Sequence, residues 1–143
     1  MEYIVRQTID IKAKPAQVWD ALTDPKKTKE YFFNAKVYSK WKEGSKITFK
    51  GKMFLIIAFE MTGKILEIKP EKLLKYTLKN NSDKKAKSFS TITDRLSYAK
   101  GITTVSITDD VGSGDGAEKR YKRSVKGWKK VLNGLKKLVE DKN

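Results

Sequence analysis

The sequence of 143 residues has neither histidine nor cysteine. That excludes Ser-His-Asp and Cys-His nucleophiles, zinc centres of the usual ligand types, and disulfides. The chemistry left to it rests on carboxylates, hydroxyls and four arginines: Arg6, Arg95, Arg120 and Arg123. Asp20 and Glu30 read as surface carboxylates of helices, and no two acids are spaced so that sequence alone joins them for general acid–base work. The expectation is therefore a binding protein more than an enzyme, with no metal and no organic cofactor. Tyr38, Thr91, Arg95 and Tyr98 are the polar groups that could orient a ligand. Asp94 and Arg95 are neighbours in a strand and must face opposite ways, so they cannot share one cavity. For Arg95 the simpler reading is a cross-strand ion pair at the surface. Gly112, Gly114 and Ala117 match a dinucleotide-binding spacing, but no second strand follows to close a β-α-β unit. The glycines are expected to make a mobile lip at a cavity entrance instead.

The elements that would hold such residues follow from periodicity. Tyr121, Val125, Trp128, Leu132, Leu135 and Val139 recur at spacings of four and three, one face of a helix running from an Asp115 cap, with Glu118 three residues on, to the end of the chain. Gly127 and Gly134 each cost about 1 kcal/mol in a helix. They form a small-residue flank with Ser124 and Val131, which predicts a close approach by a sheet or a ligand. Residues 2 to 11 alternate as a half-buried strand, and Pro15 and Pro25 open two short helices, with Asp24 ending one and capping the next. From Ala35 onward strands dominate: Val37–Tyr38, Ile47–Phe49, an apolar run from Met53 to Phe59, Met61–Ile68, Leu73–Leu78, Phe89–Leu96 and Ile102–Thr108. The polar stretch Asn80 to Lys87 reads as a loop. One long helix must cover an antiparallel sheet that is apolar on one face, giving an α+β domain over residues 1–143 with a cavity between helix and sheet.

Composition sets the outer bounds. A hydrophobic content of 38% fits a folded chain with a polar exterior. No apolar stretch approaches the roughly 20 residues of a membrane span, and no signal-peptide core precedes the first strand, so a cytoplasmic chain starting at Met1 is expected. The net charge of +15 would suit an acidic partner. Lysine dominates it, however, and is spread over every segment, so nucleic acid is not the expected partner. Lys126 to Leu132 alone could pass for a basic membrane-surface helix, but giving that face away would uncover the sheet.

Four ordered segments resemble one known family. Pro15-Ala16-Gln17-Val18-Trp19-Asp20-Ala21-Leu22-Thr23-Asp24-Pro25 is similar to the first-helix signature of the SRPBCC (START and birch-pollen-allergen-like) superfamily, in the branch named after the activator of heat-shock protein 90 ATPase. Gly63 to Pro70 resembles its central strand and turn. Ile92 to Leu96 with Gly101-Ile102-Thr103 resembles its final hairpin. Gly127-Trp128, Val131-Leu132, Gly134-Leu135 and Leu138-Val139-Glu140 resemble its last helix. The resemblance implies a helix-grip fold: a seven-stranded curved antiparallel sheet around a long C-terminal helix, with two short helices between strands 1 and 2.

Such proteins bind apolar molecules, some act as cyclases, and the eukaryotic activators stimulate a chaperone. Tyr31 stands where a tryptophan is often found in the family. The activators also carry an added N-terminal domain that this chain is expected to lack. The leading expectation is a small apolar ligand held by Phe32, Phe33, Phe49, Phe59, Tyr76, Phe89, Tyr121, Val125, Trp128 and Leu132. The alternatives are a chaperone-regulating module that binds an acidic protein, and a cyclase or hydrolase using the same cavity. A monomer or weak dimer is expected.

Overall fold

The computed structural model describes residues 3–53, 56–80 and 89–141. Its elements are β1 (Ile4–Ile11), α1 (Pro15–Thr23), α2 (Pro25–Tyr31), β2 (Ala35–Ser39), β3 (Lys46–Met53), β4 (Ile57–Lys69), β5 (Leu73–Asn80), β6 (Ser90–Ala99), β7 (Ile102–Asp110) and α3 (Ala117–Asp141). The strands form one antiparallel sheet in the order β1-β7-β6-β5-β4-β3-β2. Strands β2 to β7 thus follow the chain, while β1 pairs with β7 at the far edge. The α1–α2 connection carries the chain from one edge strand to the other. This is the α+β helix-grip arrangement expected from the sequence, with α3 packed on the inner face.

The short helices form where the sequence places their signals. Pro15 and Pro25 sit in the first turns of α1 and α2. The Gln17 side chain accepts the Lys14 backbone N–H at 2.9 Å. Asp24 closes α1 by donating its backbone N–H to Asp20, and its carboxylate accepts the Lys26 N–H at 2.9 Å to start α2. Beneath them, Val18, Ala21, Tyr31 and Phe32 join Val37, Ile47, Ile65, Leu74, Ile92, Val105, Val131 and Leu135 in one core.

Three details differ from the sequence reading. The helix α3 starts at Ala117, not at Asp115, because Gly112, Gly114 and Gly116 all take positive φ and hold the chain out of the helix. Asp115 lies in the preceding turn, where its carbonyl accepts from Arg120 at 2.9 Å. The apolar run from Met53 to Phe59 is not a strand of its own. Met53 ends β3 and Ile57 to Phe59 begin β4, with Met53 paired to Ile57. Residues 54 and 55 of that run, and 81–87 of the loop expected from Asn80 to Lys87, lie outside the described residues, while Asn80 itself ends β5.

The third difference concerns the helix glycines. What approaches them is the end of α2 and the residues after it, rather than the sheet. A Cβ at Gly134 would lie 2.9 Å from the Tyr31 Cβ, and one at Gly127 would lie 3.3 Å from the Phe33 ring tip. The first neighbour is the rigid stem of a buried residue. The second is the far end of a side chain that is 47% exposed and can move. Gly134→Ala should therefore lose about 1–2 kcal/mol, as overpacking exceeds the gain in helix propensity. Gly127→Ala should be neutral or gain up to about 1 kcal/mol. Urea unfolding of the two variants checks this opposite ordering.

Candidate functional site

Two spaces open between the sheet and α3. The larger, about 340 Å³, has walls from Met61 on β4, Leu78 on β5, Ile92 on β6, and Ser124, Gly127 and Trp128 on α3. Phe32 and Val111 complete the apolar lining, and Phe33 and Phe89 stand at it as exposed aromatics. Arg120, Arg123 and Lys79 supply its cations. The smaller, about 20 Å³, lies within the core among Tyr31, Phe49, Leu74, Tyr76, Val131, Leu132 and Asp94. Phe32 and Trp128 border both spaces.

The ten residues proposed from sequence therefore divide into three sets. Phe32, Phe33, Phe89 and Trp128 line the larger cavity, while Phe49, Tyr76 and Leu132 line the small inner void. Phe59, Tyr121 and Val125 line neither. Tyr121 packs its ring 6.0 Å from that of Tyr3, Val125 gives its carbonyl to the Gln7 side chain at 2.9 Å, and Phe59 packs on the core beside Gly51. The helical stripe is broad enough to face β1 with one flank and the cavity with the other.

None of the four polar candidates lines the larger cavity. Tyr38 is exposed, and Thr91 shares the outer strand face with Arg95. Arg95 and Tyr98 border a depression of about 690 Å³ on whose rim Lys69, Glu71, Lys72, Ser97 and Ser106 also lie. Among the described residues Arg95 makes no ion pair, contrary to the cross-strand pair expected for it. The glycine loop is also tied down. The Arg120 guanidinium donates to the carbonyls of Val111, Ser113 and Asp115 at 3.1, 3.3 and 2.9 Å. Three charge-assisted bonds to alternate carbonyls of the loop oppose the mobile lip expected there.

Two carboxylates point inward: Asp94, which the sequence analysis considers only as the neighbour of Arg95, and Asp109, which it does not single out. Asp109 on β7 is 5% exposed, and its Oδ2 accepts from Ser124 Oγ at 2.6 Å and Trp128 Nε1 at 2.8 Å. Ser124 and Trp128 are one helical turn apart, so one carboxylate fastens α3 to the sheet where the cavity lies. Asp94 on β6 is 3% exposed. Its Oδ1 and that of Asp109 are buried without a hydrogen-bond partner among the described residues. The β6–β7 register pairs Asp94 with Ile107 and Ile92 with Asp109, so the two acids sit diagonally on the inner face.

Burial raises the pKa of both groups. For Asp109 desolvation outweighs the opposing hydrogen bonds from Ser124 and Trp128 and further support from Ser90. Asp94 is pushed up to about 7, first by desolvation and then by the charge of Asp109. The phenols of Tyr31 and Tyr76 are also raised, by burial first and then by Asp94. Asp94 thus holds its proton more tightly when folded than at the ordinary 3.8 of an unfolded chain. Its contribution to stability is complete below about pH 4 and is lost as pH rises through about 7. Asp94→Asn, which has no charge to bury, should gain on the wild type across that window, by on the order of 4 kcal/mol at pH 8. Chemical denaturation from pH 4 to pH 8 checks it, and a difference independent of pH would contradict the assignment.

Comparison with known proteins agrees with this architecture. The protein ChR145 from Cytophaga hutchinsonii is 33% identical, with 97% of this chain and 94% of that chain covered and a TM-score of 0.78. CV1439 from Chromobacterium violaceum shares the fold at 20% identity, covering 96% and 97% of the two chains with a TM-score of 0.78. CalU16 from Micromonospora echinospora shares it at 22% identity, covering 97% and 76% with a TM-score of 0.71. Among curated proteins none matches. The model of the family described as Activator of Hsp90 ATPase homolog 1-like protein matches residues 12–140, which takes in both short helices, six of the seven strands in full and nearly all of α3. The chain belongs to that family.

Proposed function

We propose that this protein binds a small hydrophobic ligand in the cavity between the sheet and α3. The observation that carries the reading is the cavity itself. Its volume of about 340 Å³ falls within the range of about 300–1,000 Å³ usual for small-molecule sites. It is walled by Phe32, Met61, Leu78, Ile92, Val111 and Trp128, with Lys79, Ser90, Asp109, Arg120, Arg123 and Ser124 as its polar groups. The space is open to solvent beside the exposed Phe33 and Phe89, so an apolar molecule has a way in to the Trp128 wall. Trp128 is the pivotal wall residue. It touches both spaces, and Asp109 fixes the orientation of its ring.

A chaperone-regulating role is the second reading, and the family description is what favours it. It would use the basic exterior on an acidic partner, would weaken with salt, and would be indifferent to the cavity. Filling the cavity separates the two. Met61 lies at a partly buried strand position at its wall, packed against the edge of the core, so Met61→Trp adds bulk in the space without emptying a fully buried position. The neutral dye N-phenyl-1-naphthylamine should bind the wild type with one site and should bind Met61→Trp at least about tenfold more weakly, a loss of roughly 1.4 kcal/mol. Trp128→Ala should weaken it as well. Equal dye binding by the wild type and Met61→Trp would contradict the proposal.

A further inference from the structure

The cavity is apolar inside, yet three cations border it. Arg120 and Arg123 stand three residues apart on α3, and Lys79 comes from β5. The ion pairs of the described residues are Lys27–Asp20, Lys69–Glu67, Lys122–Glu118 and Lys136–Glu140, and none of them uses these three. Arg120 is held in place by three backbone carbonyls, which fix its guanidinium without neutralising it. Arg123 and Lys79 are exposed. Among the described residues the one carboxylate lining the cavity, Asp109, is 5% exposed and turned to Ser124 and Trp128. Uncompensated positive charge therefore meets an apolar interior along one boundary.

We propose that the ligand is a single-chain amphipathic anion, with its apolar chain against Trp128, Met61 and Ile92 and its anionic head, a carboxylate or a phosphate, at Arg123 and Lys79. This rests on the cavity-binding reading above and narrows it to a chemical class. A purely apolar ligand would draw nothing from these cations. An anionic head pairs with them at the boundary with water, where neither partner has to be fully desolvated. Arg120 adds a fixed positive field without needing to leave its loop.

Displacement of N-phenyl-1-naphthylamine by decanol, decanoate and decyl phosphate tests the class, with salt held at about 0.1 M to limit long-range effects. Decanoate or decyl phosphate should displace the dye at about tenfold lower concentration than decanol, and the better of the two identifies the head. Combining Arg123→Gln with Lys79→Gln should erase that advantage and leave decanol unchanged. Combining Lys40→Gln with Lys42→Gln removes the same charge elsewhere and should leave the advantage intact. Equal displacement by all three in the wild type, or an advantage that survives Arg123→Gln with Lys79→Gln, would overturn the anionic head while leaving an apolar site standing. Failure of the dye and decanol to bind at all would overturn the cavity reading and this one with it.

Discussion

One helix has to cover the inner face of seven strands. A helix is about 10–12 Å across with its side chains, while adjacent strands lie about 4.8 Å apart, so even a curved sheet offers more apolar surface than one helix can fill. The molecule meets this constraint in three ways. At one end, α1 and α2 bring Val18, Ala21, Tyr31 and Phe32 into the core. At the β1 edge, Gln7 binds the Val125 carbonyl, and Lys136 and Glu140 bind the backbone of Asp10 and Lys12. In the remaining stretch, over β4 to β6, the space is left partly open as the cavity.

That opening gives Asp109 its importance. Where a helix does not pack flush, it needs another attachment, and the Asp109 carboxylate supplies two hydrogen bonds to α3 at that level. The arrangement is costly, since burial raises the pKa of the group that makes the bonds. Asp94 has a greater cost and fewer compensations, with an unpartnered oxygen inside the core and a pKa of about 7. Buried polar groups without partners are few in native proteins, and each one marks a place where packing alone does not explain the residue. Here both occur on the face that borders the two spaces.

The fold was legible because its signals are long and repeated. The α3 stripe spans many turns, the proline and aspartate signals at Pro15, Asp24 and Pro25 are local, and the strands alternate. Ends were less legible: Asp115 looks like a cap, but three glycines at positive φ delay the helix to Ala117. The site was legible only in part, for a geometric reason. Periodicity says that Phe32, Phe49, Trp128 and Leu132 are inside, but not which of them faces a void, because that depends on how far α3 stands off the sheet. Asp94 and Asp109 could have been found. Each sits in register with apolar neighbours two residues away, Ile92 and Leu96 for one and Ile107 for the other, and a tight turn at Lys100-Gly101 brings their strands together. The alternation was visible, and a carboxylate on the apolar side was its signal.

The central claim is that a ligand enters between the sheet and α3, against Trp128. Amide and indole resonances of the isotopically labelled protein, followed during titration with decanol, test it most directly. The account predicts the largest shifts at the Trp128 indole N–H and at Ile92, Ser124 and Gly127, with β1 residues such as Arg6 and Thr8 unmoved. Shifts confined to the outer face of the sheet, or a Trp128 indole signal that stays in place as decanol saturates, would contradict it.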